Sequence, residues 1–279
     1  MPLYRWSELK SWLDAHDLFP KRGLSQNFLI DGNVVHKILD FVPKEEHPII
    51  EIGPGPGVLT EALFERGQTL FLIEADHQLA PLLKRFQPKE IHMGDALKID
   101  PSQWLSKRVE EGAKATILSN LPYHLSTPFF KKWLMSGLWA KRLVIMVQKE
   151  FAQRLTAKAQ NDSYCPLSVL GAHYIERLES FDVPASCFYP SPKVTSTVLC
   201  IDLFEKVPEP AALPILEHLF NQRRKIISGV IKRKGWRALT GPLQSYEMER
   251  TEHLPPSILW EIAHFLTLSQ DQETDHKNA

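Results

Sequence analysis

Short apolar runs alternate with amphipathic stretches over residues 1 to about 204. Ile49-Ile50-Glu51-Ile52, Thr69-Leu70-Phe71-Leu72-Ile73, Ala115-Thr116-Ile117-Leu118, Leu143-Val144-Ile145-Met146-Val147 and Thr197-Val198-Leu199-Cys200-Ile201 read as strands, and Glu90 to Met93 as a further strand region. Val58 to Arg66 and Gln78 to Phe86 have helical spacing. This alternation predicts a mostly parallel sheet with helices on both faces. Glu205-Lys206-Val207-Pro208-Glu209-Pro210 then reads as a linker. Beyond it the pattern is helical, over Leu213 to Ser228, Val230 to Leu239 and Ser257 to Leu268, with a polar tail expected to fray from Ser269. The expected organisation is an α/β domain over 1–204 and a small all-helical domain over 205–279.

Composition narrows the class. The chain has 279 residues, 43% hydrophobic and 24% charged, enough to bury a core without covalent staples. No apolar run approaches the ~20 residues of a membrane helix, and the charged N-terminus lacks an apolar signal core. Cys165, Cys187 and Cys200 form no CxxC and no even framework, which predicts a reducing cytoplasm. Lys and Arg total 33, as do Asp and Glu, so any nucleic-acid contact must rest on local clusters of charge.

Glu51-Ile52-Gly53-Pro54-Gly55-Pro56-Gly57 follows a strand and opens a helix. Glycines there allow a tight turn and close approach of backbone to a ligand. Glu74 and Asp76 end the next strand, and an acid about 20 residues after such a loop can accept both hydroxyls of a ribose. The loop departs from G-x-G-x-x-G: its third glycine comes one residue early, and Val58 stands where the pattern wants Gly. Glu51 also brings negative charge toward the ligand. A cationic nucleoside such as S-adenosylmethionine fits better than a diphosphate. Asp95, after the Glu90 to Met93 strand, can accept from the exocyclic amine of the cofactor's adenine; the competing reading is a helix cap.

Asn120-Leu121-Pro122-Tyr123 follows the strand at 115–118, placing it at a strand's carboxyl end, where open α/β sheets bind ligands. The exocyclic amine of adenine is a poor nucleophile because its lone pair is delocalised into the ring. A site that methylates it needs acceptors against the amine hydrogens, and the Asn120 side-chain oxygen and the Leu121 carbonyl form such a pair. Pro122 stiffens the loop, and Tyr123 offers a stacking face.

These residues, with Gln26-Asn27-Phe28-Leu29, Glu74-Ala75-Asp76, Gly94-Asp95-Ala96-Leu97, Val147-Gln148-Lys149-Glu150, Phe188-Tyr189-Pro190-Ser191-Pro192-Lys193-Val194 and Asn221-Gln222-Arg223-Arg224-Lys225, occur in the order of a known family. The chain resembles the ribosomal RNA adenine N6,N6-dimethyltransferases over about residues 20 to 270, and within them the small-subunit, kasugamycin-type group. The resemblance implies a Rossmann-like class I S-adenosylmethionine methyltransferase sheet of seven strands, the last antiparallel, with a helical C-terminal RNA-binding domain. It implies cofactor contacts at Asn27, Leu29, Gly53, Glu74, Asp95 and Asn120, and a base pocket of Asn120, Leu121, Tyr123 and Phe188, with Tyr123 and Phe188 sandwiching the base. The implied substrate is two adjacent adenosines in the 3′-terminal hairpin of 16S rRNA, met within a pre-30S particle by a monomeric enzyme, with no membrane and no metal. Ser25 stands where the family usually has Gly. The N-terminal stretch, with Trp6 and Trp12, is longer than expected, either a helix covering the cofactor or a surface decoration.

Local charge is expected to dock the RNA. Residues 221–237 carry Arg223, Arg224, Lys225, Lys232, Arg233, Lys234 and Arg237 with no acid, while Ile226, Ile227, Val230 and Ile231 have the spacing of a core face. Lys141, Arg142, Lys149 and Arg154 form a second, weaker cluster. Three other readings compete: a large-subunit rRNA adenine methyltransferase, a non-enzymatic nucleic-acid-binding or assembly factor on the same fold, and a protein glutamine methyltransferase. Asn221 to Lys225 favours the small-subunit enzyme over the first, the intact Asn120–Tyr123 set disfavours the second, and Leu121 with the basic segment disfavours the third.

Overall fold

The computed structural model describes residues 5–24, 26–45, 47–99, 115–135 and 140–277. Nine strands are present among them: β1 (Phe28–Leu29), β2 (Pro48–Ile52), β3 (Thr69–Glu74), β4 (Glu90–Met93), β5 (Ala115–Asn120), β6 (Ala140–Gln148), β7 (Ile175–Val183), β8 (Phe188–Tyr189) and β9 (Ser196–Leu203). Seven form one sheet in the order β4-β3-β2-β5-β6-β9-β7. The pairs from β4 through β6 are parallel, and β9, the last strand in the chain, runs antiparallel to β6.

Burial separates the middle of this sheet from its edges. β2, β3 and β5 are buried at nearly every position, as expected of strands covered on both faces. The edge strand β7 is exposed or half-buried at every position before Val183 and carries Glu176, Arg177, Glu179 and Asp182. Edge charge discourages pairing with other chains, and it also removes the apolar run by which a strand is recognised, so the hydrophobic pattern does not reveal β7.

The strand order sets the place of the site. From β2 the chain steps outward to β3 and β4, then returns to β5 on the other side of β2. The reversal leaves a crevice at the carboxyl ends of β2 and β5, where open α/β sheets bind ligands. Ile52 is in register with Ser119, and the Ser119 hydroxyl donates to the Ile52 carbonyl at 2.6 Å, tying the two strand ends together.

The chain forms two compact units, residues 1–152 with 176–205, and residues 153–175 with 206–279. The segment 153–175, which the sequence reading leaves with residues 1–204, therefore groups with the C-terminal unit. In the first unit the N-terminal helix Trp6–Ala15 buries Leu9 and Leu13 in a core shared with Phe28, Leu29, Val35 and Ile38. Trp6 packs on Tyr189 with ring centroids 4.3 Å apart, and the Arg85 guanidinium lies 4.7 Å from the Trp12 ring. The helix is thus a packed part of this unit.

The second unit contains helices Pro166–Tyr174, Ala212–Asn221, Ile227–Lys234 and Pro256–Lys277. Three boundaries differ from the periodic reading. The first expected helix stops at Asn221, and Ile226 adopts an extended conformation and bridges to Arg250; it is 39% exposed, while Ile227, Val230 and Ile231 are buried as their spacing predicts. Gly235, with φ +74°, ends the basic helix before Leu239. The last helix continues to Lys277, past the expected fraying point, and Ser269 donates to the Phe265 carbonyl one turn back.

Candidate active site

A cavity of about 400 Å³ opens at the carboxyl ends of β2, β3, β4 and β5. It is lined by Asn27 and Leu29, by the glycine loop after β2, by Glu74, Asp95 and the Asn120–Leu125 segment. All six expected cofactor residues, Asn27, Leu29, Gly53, Glu74, Asp95 and Asn120, are therefore brought to one space. Of the expected base pocket, Asn120, Leu121 and Tyr123 are there as well.

The glycine loop is shaped by conformation and by packing. Gly57 sits at φ +93° before the helix Val58–Glu65, and a Cβ there would come within 2.5 Å of the Phe86 ring. Gly53 has φ +66°, and a Cβ there would meet only open space. Gly57 thus admits the neighbouring aromatic ring, whereas Gly53 leaves backbone bare on the cavity wall.

Three carboxylates line the cavity, and no Lys or Arg does among the described residues. Glu51 is 2% exposed and its Oε2 accepts from the Thr60 hydroxyl at 2.7 Å. Burial pushes its pKa up to about 8; the Thr60 hydrogen bond opposes this, and the nearby charge of Glu74 adds to it. Glu74 is also buried, with Oε2 accepting from the Gly55 N–H at 3.0 Å and Oε1 from the Asp76 N–H at 2.8 Å. Burial raises its pKa as well, against those backbone donors. Each carboxylate oxygen has two acceptor sites, so Glu74 can hold the glycine loop and still accept a ligand hydroxyl.

Asp76 plays a different part. Its Oδ1 accepts from Lys21 Nζ at 2.7 Å and from the Gln78 N–H at 3.1 Å, and its Oδ2 from Gln26 Nε2 at 3.4 Å. Burial acts to raise its pKa, but the donors and the lysine charge prevail and lower it. Asp95 is a cap, its Oδ1 accepting from the Leu97 N–H at 2.9 Å at the turn Ala96–Lys98; the residue is exposed and also lines the cavity.

Asn120, the last residue of β5, is oriented by one bond. Its Nδ2 donates to the Asn27 carbonyl at 2.9 Å, which fixes the sense of the amide and leaves Oδ1 as an acceptor. The Leu121 N–H donates to the Met146 carbonyl at 3.1 Å, anchoring the loop to β6. The Tyr123 hydroxyl is 2.7 Å from the Ser196 hydroxyl, holding the ring from its far end. Burial raises the phenol's pKa, with the Ser196 bond opposing.

Other expected residues lie apart from the cavity. Phe188 is 3% exposed within the core, on β8 opposite Leu29 of β1, and does not line the cavity. Tyr189 beside it is exposed but packs on Trp6. Among the described residues, none before Gly23 lines the cavity, so the described part of the N-terminal helix forms no part of its wall. Ser25 is outside the described residues. No group of three or more His, Cys, Asp or Glu among the described residues could hold a metal ion.

The basic segment resolves into two kinds of residue. Arg223 is tied down: its guanidinium is 3.3 Å from Glu252 and donates to the Asp162 carbonyl at 3.2 Å. Arg224, Lys225, Lys232, Arg233 and Lys234 are exposed. The second cluster loses much of its charge. Arg142 forms a two-pronged pair with Asp202 at 2.6 and 2.9 Å, and Lys149 pairs with Asp182 at 2.5 Å.

The donor set fits S-adenosylmethionine on this geometry: the buried carboxyl groups of Glu51 and Glu74 suit a cationic ligand, bare glycine backbone admits close approach, and no Lys or Arg among the described residues lines the cavity for a phosphate. A family model described as ribosomal RNA adenine dimethylase matches residues 20–249. A Protochlamydia amoebophila protein named ribosomal RNA small subunit methyltransferase A is 38% identical over 83% of this chain and 84% of its own. A protein of the same name from Phenylobacterium zucineum is 34% identical over 96% of this chain and 94% of its own. Among solved structures, a dimethyladenosine transferase from Plasmodium falciparum is 23% identical, covering 85% of this chain and 97% of its own, with a TM-score of 0.68, and so shares the fold. With the cavity, the acceptor residues and this match in hand, the chain belongs to the ribosomal RNA adenine dimethylase family.

Proposed function

We propose that this chain is an S-adenosylmethionine-dependent enzyme that dimethylates the N6 amines of two adjacent adenosines in the 3′-terminal hairpin of small-subunit rRNA. The family and the names of the curated relatives support the reaction and the RNA. The finer parts, the hairpin, a pre-30S particle, the cytoplasm and a monomeric enzyme, extend that reading. The first unit would carry the chemistry and the second the RNA contact.

The single observation that carries the reading is the Asn120 bond. With Nδ2 given to the Asn27 carbonyl, Oδ1 is an acceptor on the cavity wall, beside the Leu121 residue that follows it in the chain. When bound, the cofactor supplies an electrophilic methyl group on a sulfonium. The target adenine leaves its stack and rests on Tyr123, whose hydroxyl is anchored on Ser196. In the described geometry Phe188 lies in the core, so the second half of the expected sandwich is not assigned. Asn120 Oδ1 and the Leu121 carbonyl take the amine hydrogens and hold the nitrogen lone pair toward the methyl. Positioning, rather than a covalent intermediate, then provides the acceleration. Glu51 and Glu74 give the cationic ligand its compensating charge, with Glu74 accepting ribose hydroxyls and Asp95 the adenine amine.

Asn120→Ala tests this directly in a single-turnover assay on small-subunit particles with nucleoside mass spectrometry. Methyl transfer should fall by about two orders of magnitude or more, as when one transition-state hydrogen bond is lost, while RNA affinity falls little. Residual product should be enriched in monomethyladenosine, because the half-methylated amine must find an acceptor for its one remaining hydrogen. Full dimethylation by the variant would place the acceptor elsewhere.

A further inference from the structure

Asp76, buried near the cavity, is spoken for by side chains rather than aimed at a ligand. It is 5% exposed, whereas Lys21, its ion-pair partner, is 41% exposed. Lys21 and Gln26 approach it together: Lys21 Nζ reaches Oδ1, Gln26 Nε2 reaches Oδ2, and the Lys21 N–H donates to Gln26 Oε1 at 2.8 Å. The three residues close a ring of contacts around one carboxylate.

What this ring holds is the cavity wall. Gly23, Leu24, Gln26 and Asn27 all line the cavity, and the Lys21 carbonyl accepts the Leu24 N–H at 3.1 Å. On its other side, the Asp76 N–H donates to Glu74 Oε1, and Glu74 Oε2 accepts from Gly55. A continuous path of hydrogen bonds thus runs from Lys21 through Asp76 and Glu74 to the glycine loop. Gln26 is also followed by Asn27, whose carbonyl orients Asn120.

We propose that Lys21 and Asp76 are positioning residues for the cofactor site, clamping the Lys21–Leu24 turn and the Gln26–Asn27 segment against the end of β3 so that both walls of the cavity are set before the cofactor arrives. This rests on the reading that the cavity takes S-adenosylmethionine. The clamp is asymmetric. The lysine end reaches solvent and can leave, but its departure strands a desolvated carboxylate, and that penalty holds the wall in place.

The test is a cycle of Lys21→Met, Asp76→Asn and the double variant in the full chain, read by calorimetric affinity for S-adenosylmethionine and by steady-state kinetics. Lys21→Met should weaken cofactor affinity by about tenfold and raise the cofactor KM in parallel, with kcat at saturating cofactor changed by about threefold or less, the pattern of weakened binding with intact chemistry. Lys21→Arg should restore affinity. The double variant should be no worse than the poorer single one, since both remove the same pair. Should Asp76→Asn fail to fold, Lys21→Met compared with Lys21→Arg reads the same clamp from its solvent-facing end. Unchanged cofactor affinity in Lys21→Met, multiplying losses in the double variant, or a fall in kcat with KM unmoved would each overturn the proposal. So would loss of RNA affinity alone, which would make Lys21 a phosphate contact. If the wild-type chain binds no S-adenosylmethionine, the functional reading itself fails; a wild type that binds beside an unaffected variant rejects the clamp alone.

Discussion

The cavity of the first unit and the basic helix of the second handle charge in opposite ways. In the cavity, Glu51 and Glu74 are buried and each is held by hydrogen bonds to named partners. On the basic helix, Lys232, Arg233 and Lys234 are exposed, and their field is screened by water and salt. A buried charge acts on one atom and depends strongly on its partner. An exposed charge acts through a screening length of ~8 Å at physiological salt and contributes to a sum. The cavity should therefore respond sharply to single changes and to pH, and the helix gradually to accumulated changes and to salt.

The largest effect expected from a single change that would sharpen this contrast is at Glu74. Glu74→Ala removes the acceptor for the Gly55 and Asp76 N–H groups as well as for a ribose, each a loss of about 1–3 kcal/mol for a buried group. Calorimetry should show cofactor affinity reduced by roughly ten- to a hundredfold, on the order of that range, together with a lower thermal midpoint. A lower midpoint with unchanged affinity would leave Glu74 a purely structural residue.

Next comes the pH response of Glu51. Its pKa of about 8 is raised above the ordinary carboxylate value, so below pH 8 the empty site holds a proton there. A cation favours the ionised form, and each pH unit below 8 then costs binding about 1.4 kcal/mol, or tenfold. Affinity should rise from about pH 6 to about 8 and level off above, with proton release on binding; Glu51→Gln should flatten the profile. For stability the sign is the reverse: the folded chain binds this proton more tightly than the unfolded chain, so the Glu51 contribution weakens as pH rises from about 4.5 to about 8. A flat affinity profile in the wild type would mean that the cation does not meet Glu51.

The smaller effects lie on the helix. Charge reversal at Arg224, Lys225 and Lys232 should lower RNA affinity and reduce the slope of log affinity against log salt, by ~0.9 or less for each phosphate that is no longer neutralised, without touching cofactor affinity. Arg223→Ala should instead lower thermal stability by about 1–2 kcal/mol, since it strips donors from Glu252 and from the Asp162 carbonyl, and should leave the salt slope nearly intact. A slope change as large for Arg223 as for its neighbours would erase the distinction between paired and exposed members of the segment.

Much of this is legible in the chain itself. The central strands are continuous apolar runs because both of their faces are covered, and that burial writes itself directly into composition. Glycines spaced at 53, 55 and 57, an acid at 74 and Asn120-Leu121-Pro122-Tyr123 mark strand ends, and in a parallel sheet all those ends fall on one side. That is why Gly53, Glu74, Asp95 and Asn120 can be assigned to one cavity from the chain, whereas Asn27 and Leu29 are assigned only by the family resemblance.

What the tertiary structure alone decided is which partner each side chain meets. Glu74 and Asp76 are two residues apart and chemically alike, yet one lines the cavity and the other is occupied by Lys21, 55 positions earlier in the chain. Arg223 and Arg224 are adjacent, yet one is neutralised by Glu252 and the other is exposed. Phe188 carries a family motif, but pairing of β8 with β1 puts its ring in the core. Periodicity reports the face of an element on which a residue lies, and local motifs report the end of a strand. Neither reports which distant group will arrive opposite, because that is set by how the strands are ordered and how the loops between them close.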